Sequence, residues 1–146
     1  MAQRISARLK EIVDALPLAP GIRVLEIGCG SGAAAREISK RIGIGYILGI
    51  DRSEKAVCQA MERSTIELKS GRLSFQHVAV EDFLLPRQEK PFDIAFAVRV
   101  GALDGRHPEL QQRALDKIAA VLTKQGKLFI DGGKSLKQIV IDHYKE

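Results

Sequence analysis

Glu26 stands two residues before the first of three alternating glycines, in the stretch Val24-Leu25-Glu26-Ile27-Gly28-Cys29-Gly30-Ser31-Gly32. Val24 to Ile27 is otherwise apolar, and Ala33-Ala34-Ala35-Arg36-Glu37-Ile38 beyond the last glycine are strong helix formers. The pattern predicts a buried strand, a tight loop and a helix start. Three missing Cβ atoms let the backbone turn sharply and let a ligand approach the main chain. The helix N-terminus aims unpaired N–H groups and partial positive charge into the same gap. Such a place suits a nucleoside-bearing ligand. The carboxylate narrows the choice, because a charge in an apolar strand is costly unless a cation or a donor answers it. A pyrophosphate gains nothing from Glu26, whereas a ligand carrying an ammonium and a sulfonium does.

A second carboxylate follows. Tyr46-Ile47-Leu48-Gly49-Ile50 reads as another apolar strand and ends in Asp51, 21 residues after Gly30. A carboxylate at that strand end is placed to bind a ribose diol. The alternative is a turn or helix-cap role, although Ser53, just before Glu54 and Lys55, is the better cap.

The wording from Val24 to Gly32 resembles the first motif of the class I S-adenosylmethionine-dependent methyltransferases: an acidic residue, an apolar residue, then G-x-G-x-G. The resemblance implies S-adenosylmethionine as cofactor. It implies Glu26, Gly28, Cys29 and Gly30 at its methionine end and Asp51 with Arg52 at its ribose. It also implies an adenine contact in the turn Glu81-Asp82-Phe83, where an acidic side chain accepts from N6 and a backbone N–H donates to N1. The frequent family form has an Asp two residues earlier, where this chain has Ala79, so Glu81 and Asp82 both stay open; Asp82 with the Phe83 amide is preferred. Phe92-Asp93-Ile94-Ala95 resembles the fourth motif and brings Ala97-Val98-Arg99 to where the reactive methyl would point. The run [N/D]-P-P-[Y/F] is absent there, which argues against exocyclic amino groups or glutamine as acceptors. A small-molecule acceptor is favoured over RNA.

Two rival readings stand beside this one. Gly28, Gly30 and Ala33 also fit the nicotinamide-dinucleotide pattern G-x-G-x-x-A, but Glu26 and Gly32 tilt it toward the methyl donor. Neither Tyr46 nor Tyr144 has the lysine four residues later that an oxidoreductase of this kind usually uses. The other rival is a non-catalytic S-adenosylmethionine-binding or partner-activating module. For acid–base work, Asp104 and His107 are the candidates beside the site, though His107 before Pro108 suits a helix entry. Asp131-Gly132-Gly133-Lys134-Ser135 looks like the end of a phosphate loop and fails, because G-x-x-x-x-G-K-[ST] needs glycine where Leu128 stands. No metal cluster is visible.

These residues need elements to hold them. Helices are expected over Ser6–Leu16, Ser31–Ile42, Ser53–Leu68 and Pro108–Leu122, and strands over Val24–Ile27, Tyr46–Ile50, Leu73–Val80, Phe92–Val98 and Lys127–Ile130. In the third helix Val57, Met61 and Ile66 face inward, and Cys58 is a small core residue. Strands alternating with helices predict an α/β, doubly wound, Rossmann-like fold with a mostly parallel sheet of about five strands flanked by helices. The family's usual last two strands are missing. Strand five is then an edge needing cover, supplied by a final helix bearing Leu136, Ile139, Val140, His143 and Tyr144 behind a Ser135 cap, or by a second subunit in a homodimer. The 146 residues fit one domain, with a helix and linker over 1–20 and an α/β core over 21–146.

Bulk properties agree. Two cysteines, Cys29 and Cys58, are too few for a disulfide framework and suit a reducing cytoplasm. No secretion signal or membrane-length apolar run is present. The net charge of +5 is spread among 18 acidic residues without a basic run, which reads as a solvated surface before a nucleic-acid footprint.

Overall fold

The computed structural model describes residues 5–131 and 135–144, without the side chain of His143. The Gly132-Gly133-Lys134 part of the phosphate-loop look-alike and the first four residues therefore lie outside the described residues, as does the inward face assigned to His143.

Six strands form one sheet in the order β3-β2-β1-β4-β5-β6. They are β1 (Arg23–Ile27), β2 (Tyr46–Asp51), β3 (Leu73–His77), β4 (Phe92–Ala97), β5 (Leu122–Asp131) and β6 (Leu136–Ile139). The helices are α1 (Ala7–Ala15), α2 (Ala33–Ser39), α3 (Glu54–Arg63), α4 (Thr65–Lys69), α5 (Gly101–Asp104) and α6 (Pro108–Val121). β1 to β5 run parallel, and their apolar residues are buried on both faces, as helices on both sides require. On one face Val24, Ile47 and Phe96 pack with Ile12 and Val13 of α1 and Ile38 of α2. On the other, Leu25, Ile50, Ala95 and Leu128 pack with Leu115 and Ile118 of α6.

The chain moves outward from β1 to β3, then crosses back to place β4 on the other side of β1. The strand order reverses between β1 and β4. The loops leaving these two strands diverge there and open a crevice at the carboxyl ends. Residue chemistry at the ends of β1, β2 and β4 is thereby gathered in one place.

The expected architecture holds, with corrections at the elements. The final helix does not form: β6 pairs antiparallel with β5, Leu128 with Ile139 and Ile130 with Lys137. Leu136-Lys137-Gln138-Ile139 fits a two-residue period as well as a helical one. An unpaired β5 edge offers it a ladder, whereas so short a helix is marginal by itself. The sheet therefore has six strands, β5 is internal, and neither a covering helix nor a second subunit is needed there; Ser135 precedes a strand, and Val140 is 68% exposed. β5 also takes in Thr123 to Gly126, which lie between the expected helix and the expected strand, through a register shift between Phe92 and Ile94 on β4.

The third expected helix breaks at Ser64, whose buried hydroxyl accepts from Arg36 Nη1 at 3.0 Å. Ile66 beyond the break is exposed, and so are Met61 and Cys58 before it. β3 ends at His77, and a single 3-10 turn, Val80–Asp82, follows.

Candidate functional site

The glycine loop is built as its residue types demand. Gly28 has φ +76°, and a Cβ there would lie 2.8 Å from Val100 Cγ2. Gly30 has φ +54° with nothing within 4 Å of where a Cβ would be, so its backbone faces open space. Arg36 of α2 holds the loop from behind, donating from Nη1 to the Ser31 carbonyl at 2.8 Å as well as to Ser64.

Glu26 lies at the foot of this loop, in register between Gly49 of β2 and Phe96 of β4. It is 3% exposed, lines the crevice, and its Oε1 has no hydrogen-bond partner among the described residues. Burial pushes its carboxyl from an ordinary 4.5 up to about 8; the nearby Asp51 charge adds to the rise and Arg36 opposes it. Cys29 beside it is buried, and burial, Glu26 and Asp51 push its thiol well above the usual range, so it stays protonated.

Asp51 is a junction. Its Oδ2 accepts from the Gly30 N–H and its Oδ1 from the Ser53 N–H, both at 2.9 Å. Ser53 is the cap of α3, accepting from the Ala56 N–H at 3.1 Å. Asp51 thus ties the glycine loop to the start of α3 and lines the crevice, each oxygen having a lone pair to spare. Arg52 lines the same space, and its carbonyl lies 3.0 Å from His77 Nε2, which gives that histidine a structural partner.

The turn after β3 separates its two carboxylates. Glu81 is 9% exposed and lines the crevice with Val78. Asp82 faces away and pairs with Arg113 of α6 at 2.6 Å, half exposed. Phe83 is core, and its N–H donates to the Val80 carbonyl at 3.2 Å. Beyond β4, Val98 lines the crevice while Ala97 is buried in the sheet behind it.

Asp104 and His107 both line the crevice. Arg106 Nε donates to the two Asp104 oxygens at 3.0 and 2.8 Å, which lowers the carboxyl's pKa and makes it a weak proton acceptor. His107 packs against Gly101, and its Nδ1 is 3.4 Å from Glu109.

Part of the wall had no signal in the residue pattern. The first turns of α1 bring Ser6, Arg8 and Leu9 over the opening, and Arg8 is ion-paired with Asp131 at the end of β5. Arg99, Arg106 and Lys137 complete that side. Arg99 belongs to the stretch expected beside the reactive methyl, and it does line the crevice. The Arg8–Asp131 contact joins residues 123 apart and was beyond reach of a sequence argument.

The crevice has a volume of about 1370 Å³. That exceeds the 300–1,000 Å³ typical for one drug-sized ligand, so it has room for a nucleoside and a second molecule. A buried, unanswered carboxylate oxygen, an open glycine backbone and a strand-end aspartate fit a nucleoside that carries a cationic amino group.

A six-stranded, mostly parallel sheet with this crevice at its reversal point defines a Rossmann-like α/β domain. Residues 24–126 match the model of a methyltransferase domain family, and the chain belongs to that family. It is 30% identical over 129 residues to the O-methyltransferase rstn1 of Aspergillus nomiae, a match covering 85% of this chain and 54% of that protein. It is 29% identical over 121 residues to the O-methyltransferase resE of Aspergillus sclerotiorum, covering 83% of this chain and 43% of that protein. The chain thus spans about half the length of these relatives. Among solved structures, the [4+2]-cyclase SpnF is similar with a TM-score of 0.66 and 28% identity, over 84% of this chain and 43% of that one. No helix among the described residues is long and apolar enough to cross a membrane.

Proposed function

We propose that this chain is an S-adenosylmethionine-dependent methyltransferase domain acting on a small-molecule acceptor. The observation that carries the reading is Glu26, a crevice-lining carboxylate with an oxygen that nothing in the described protein satisfies. Leaving such a group buried and unpaired is destabilising, and a ligand ammonium answers it. In this reading Glu26 receives the ammonium, the open backbone at Gly30 lets the ligand lie against the loop, and Asp51 accepts from the ribose hydroxyls. Glu81 replaces Asp82 as the acidic group facing the adenine, since it is Glu81 that lines the crevice. When bound, S-adenosylmethionine supplies a methyl group on a positively charged sulfur, a leaving group good enough that orienting the acceptor can supply much of the rate. Val98 and Val100 wall the acceptor's approach, and His107 is the histidine within the crevice wall able to take its proton.

Support comes also from the O-methyltransferase names of two relatives. The likeness to a cyclase is why methyl transfer itself has to be measured. Calorimetry with S-adenosylmethionine, S-adenosylhomocysteine and NAD tests the donor: the first two bind and NAD does not. Asp51→Ala weakens donor binding at least tenfold, about 1.4 kcal/mol; unchanged affinity removes Asp51 from the site. Transfer of labelled methyl to a panel of small hydroxyl acceptors then separates an enzyme from a binding module.

A further inference from the structure

The charges lining the crevice are not evenly distributed. On the side of the glycine loop they are the acidic groups Glu26, Asp51 and Glu81, with one cation, Arg52. On the opposite side, beyond the ends of β4, β5 and β6, they are Arg8, Arg99, Arg106 and Lys137 with two acids, Asp104 and Asp131. Both acids are already answered: Asp131 by Arg8 and Asp104 by Arg106. Arg99 and Lys137 are left with no acidic partner among the described residues, a surplus of two positive charges facing one space.

Their placement is built rather than incidental. Arg99 has φ +56° and is the non-glycine residue with positive φ among the described residues. L side chains rarely adopt that conformation, and it persists only where surrounding structure enforces it, most often at functional sites. Arg106 contacts this residue: its Nη2 donates to the Arg99 carbonyl at 2.8 Å while its Nε is held by Asp104. The strained backbone turns Arg99 into the crevice wall just past Val98. Lys137 comes from the other direction. It lies in one cross-strand row with Ile130 and Ala97, so its Cα is two strand spacings, about 10 Å, from that of Ala97. Arg99 and Lys137, both exposed, thus line the crevice from the strands on either side of β5.

From this we infer that the methyl acceptor carries an oxyanion, a carboxylate or a phosphate, held between Arg99 and Lys137. The inference rests on the donor reading given above for which end of the crevice holds the acceptor. A guanidinium offers two parallel donors to an oxyanion and an ammonium adds a point charge. With the anion fixed at this rim, the remainder of the acceptor extends toward Val98 and the glycine loop. A neutral acceptor of the same shape would leave both cations unanswered.

The test uses the full chain saturated with S-adenosylhomocysteine, in low-salt buffer without phosphate. It is titrated calorimetrically with 4-hydroxybenzoate, 4-hydroxyphenyl phosphate and the neutral 4-hydroxybenzamide. At least one anion binds ten times more tightly than the amide, and the tighter of the two identifies the acceptor's anionic group. Arg99→Gln weakens that anion at least tenfold and leaves the amide unchanged, Arg99→Lys recovers part of the loss, and Lys137→Gln acts in the same direction. Each variant keeps its S-adenosylhomocysteine affinity within twofold, which shows that it is folded. Anions that bind no better than the amide, or an anion affinity indifferent to both substitutions, overturn the inference. Failure of S-adenosylhomocysteine to bind the unaltered chain overturns the donor reading instead, and the same titrations without it then decide the anion site separately.

Discussion

Glu26 is the residue whose physics is most sharply defined. Its carboxyl is lifted from 4.5 to about 8 by burial first and by Asp51 second. Between those values the folded protein holds a proton that the unfolded chain has released, so the folded state binds more protons and stability falls as pH rises. The slope for one proton is about 1.4 kcal/mol per pH unit, and it vanishes above the folded value, where both states are ionised. Denaturant melts of the ligand-free protein between pH 5 and 9 therefore show declining stability that levels off past pH 8. Glu26→Gln removes most of that slope, stabilises the protein at pH 8, and weakens S-adenosylmethionine at least tenfold by calorimetry. At this scale the sequence was informative wherever a local rule applied. A carboxylate within an apolar run before alternating glycines, and an aspartate at a strand end, both mark themselves. Glu81 and Asp82 did not, because which of two adjacent side chains faces the crevice depends on the hand of one 3-10 turn and on Arg113, thirty-one residues away.

At the scale of elements, the alternation of strands and helices was legible because β1, β2 and β4 are short, mainly apolar runs, and β3 alternates apolar and polar residues at its start. Two of the segments misread were decided by partners distant in the chain. Leu136 to Ile139 became a strand because β5 offered a ladder, and the helix after Ser53 broke because Arg36 captured Ser64. Neither partner is local. Both give predictions. Ile141, 2% exposed, anchors the chain beyond β6 against the core beneath α6. Ile141→Ala costs roughly 2–5 kcal/mol of unfolding free energy, whereas Val140→Ala beside it changes stability by under about 0.5 kcal/mol in the same urea melts. Arg36→Met removes the two hydrogen bonds that pin the glycine loop and the α3–α4 break. It lowers the melting temperature and weakens S-adenosylhomocysteine, and Arg36→Lys, which lacks the planar fork, restores little of either.

For the whole molecule, the crevice exists because the strand order reverses between β1 and β4, so ligand binding and global stability are linked. A ligand that binds the folded state and not the unfolded one adds about 2.7 kcal/mol at a hundredfold excess over its Kd. Scanning calorimetry then shows a rise in Tm of several degrees with S-adenosylhomocysteine and none with NAD. The two sides of the crevice differ in how far they could be read in advance. The donor side comes from the turns that follow the first three strands. The opposite side is assembled from α1, the loop after β4, and β6, segments brought together by topology alone.

The ion pair between Arg8 and Asp131 gives α1 two unequal halves. Its far half is rooted by Ile12 and Val13 in the core and by Asp14 on Arg41 at 2.7 Å, while the near half is fastened across the entrance by charge. Such an arrangement behaves as a latch sensitive to ionic strength. In stopped-flow experiments, raising salt from low to 0.5 M accelerates both entry and escape of S-adenosylhomocysteine by similar factors, and Arg8→Gln reproduces the acceleration without salt.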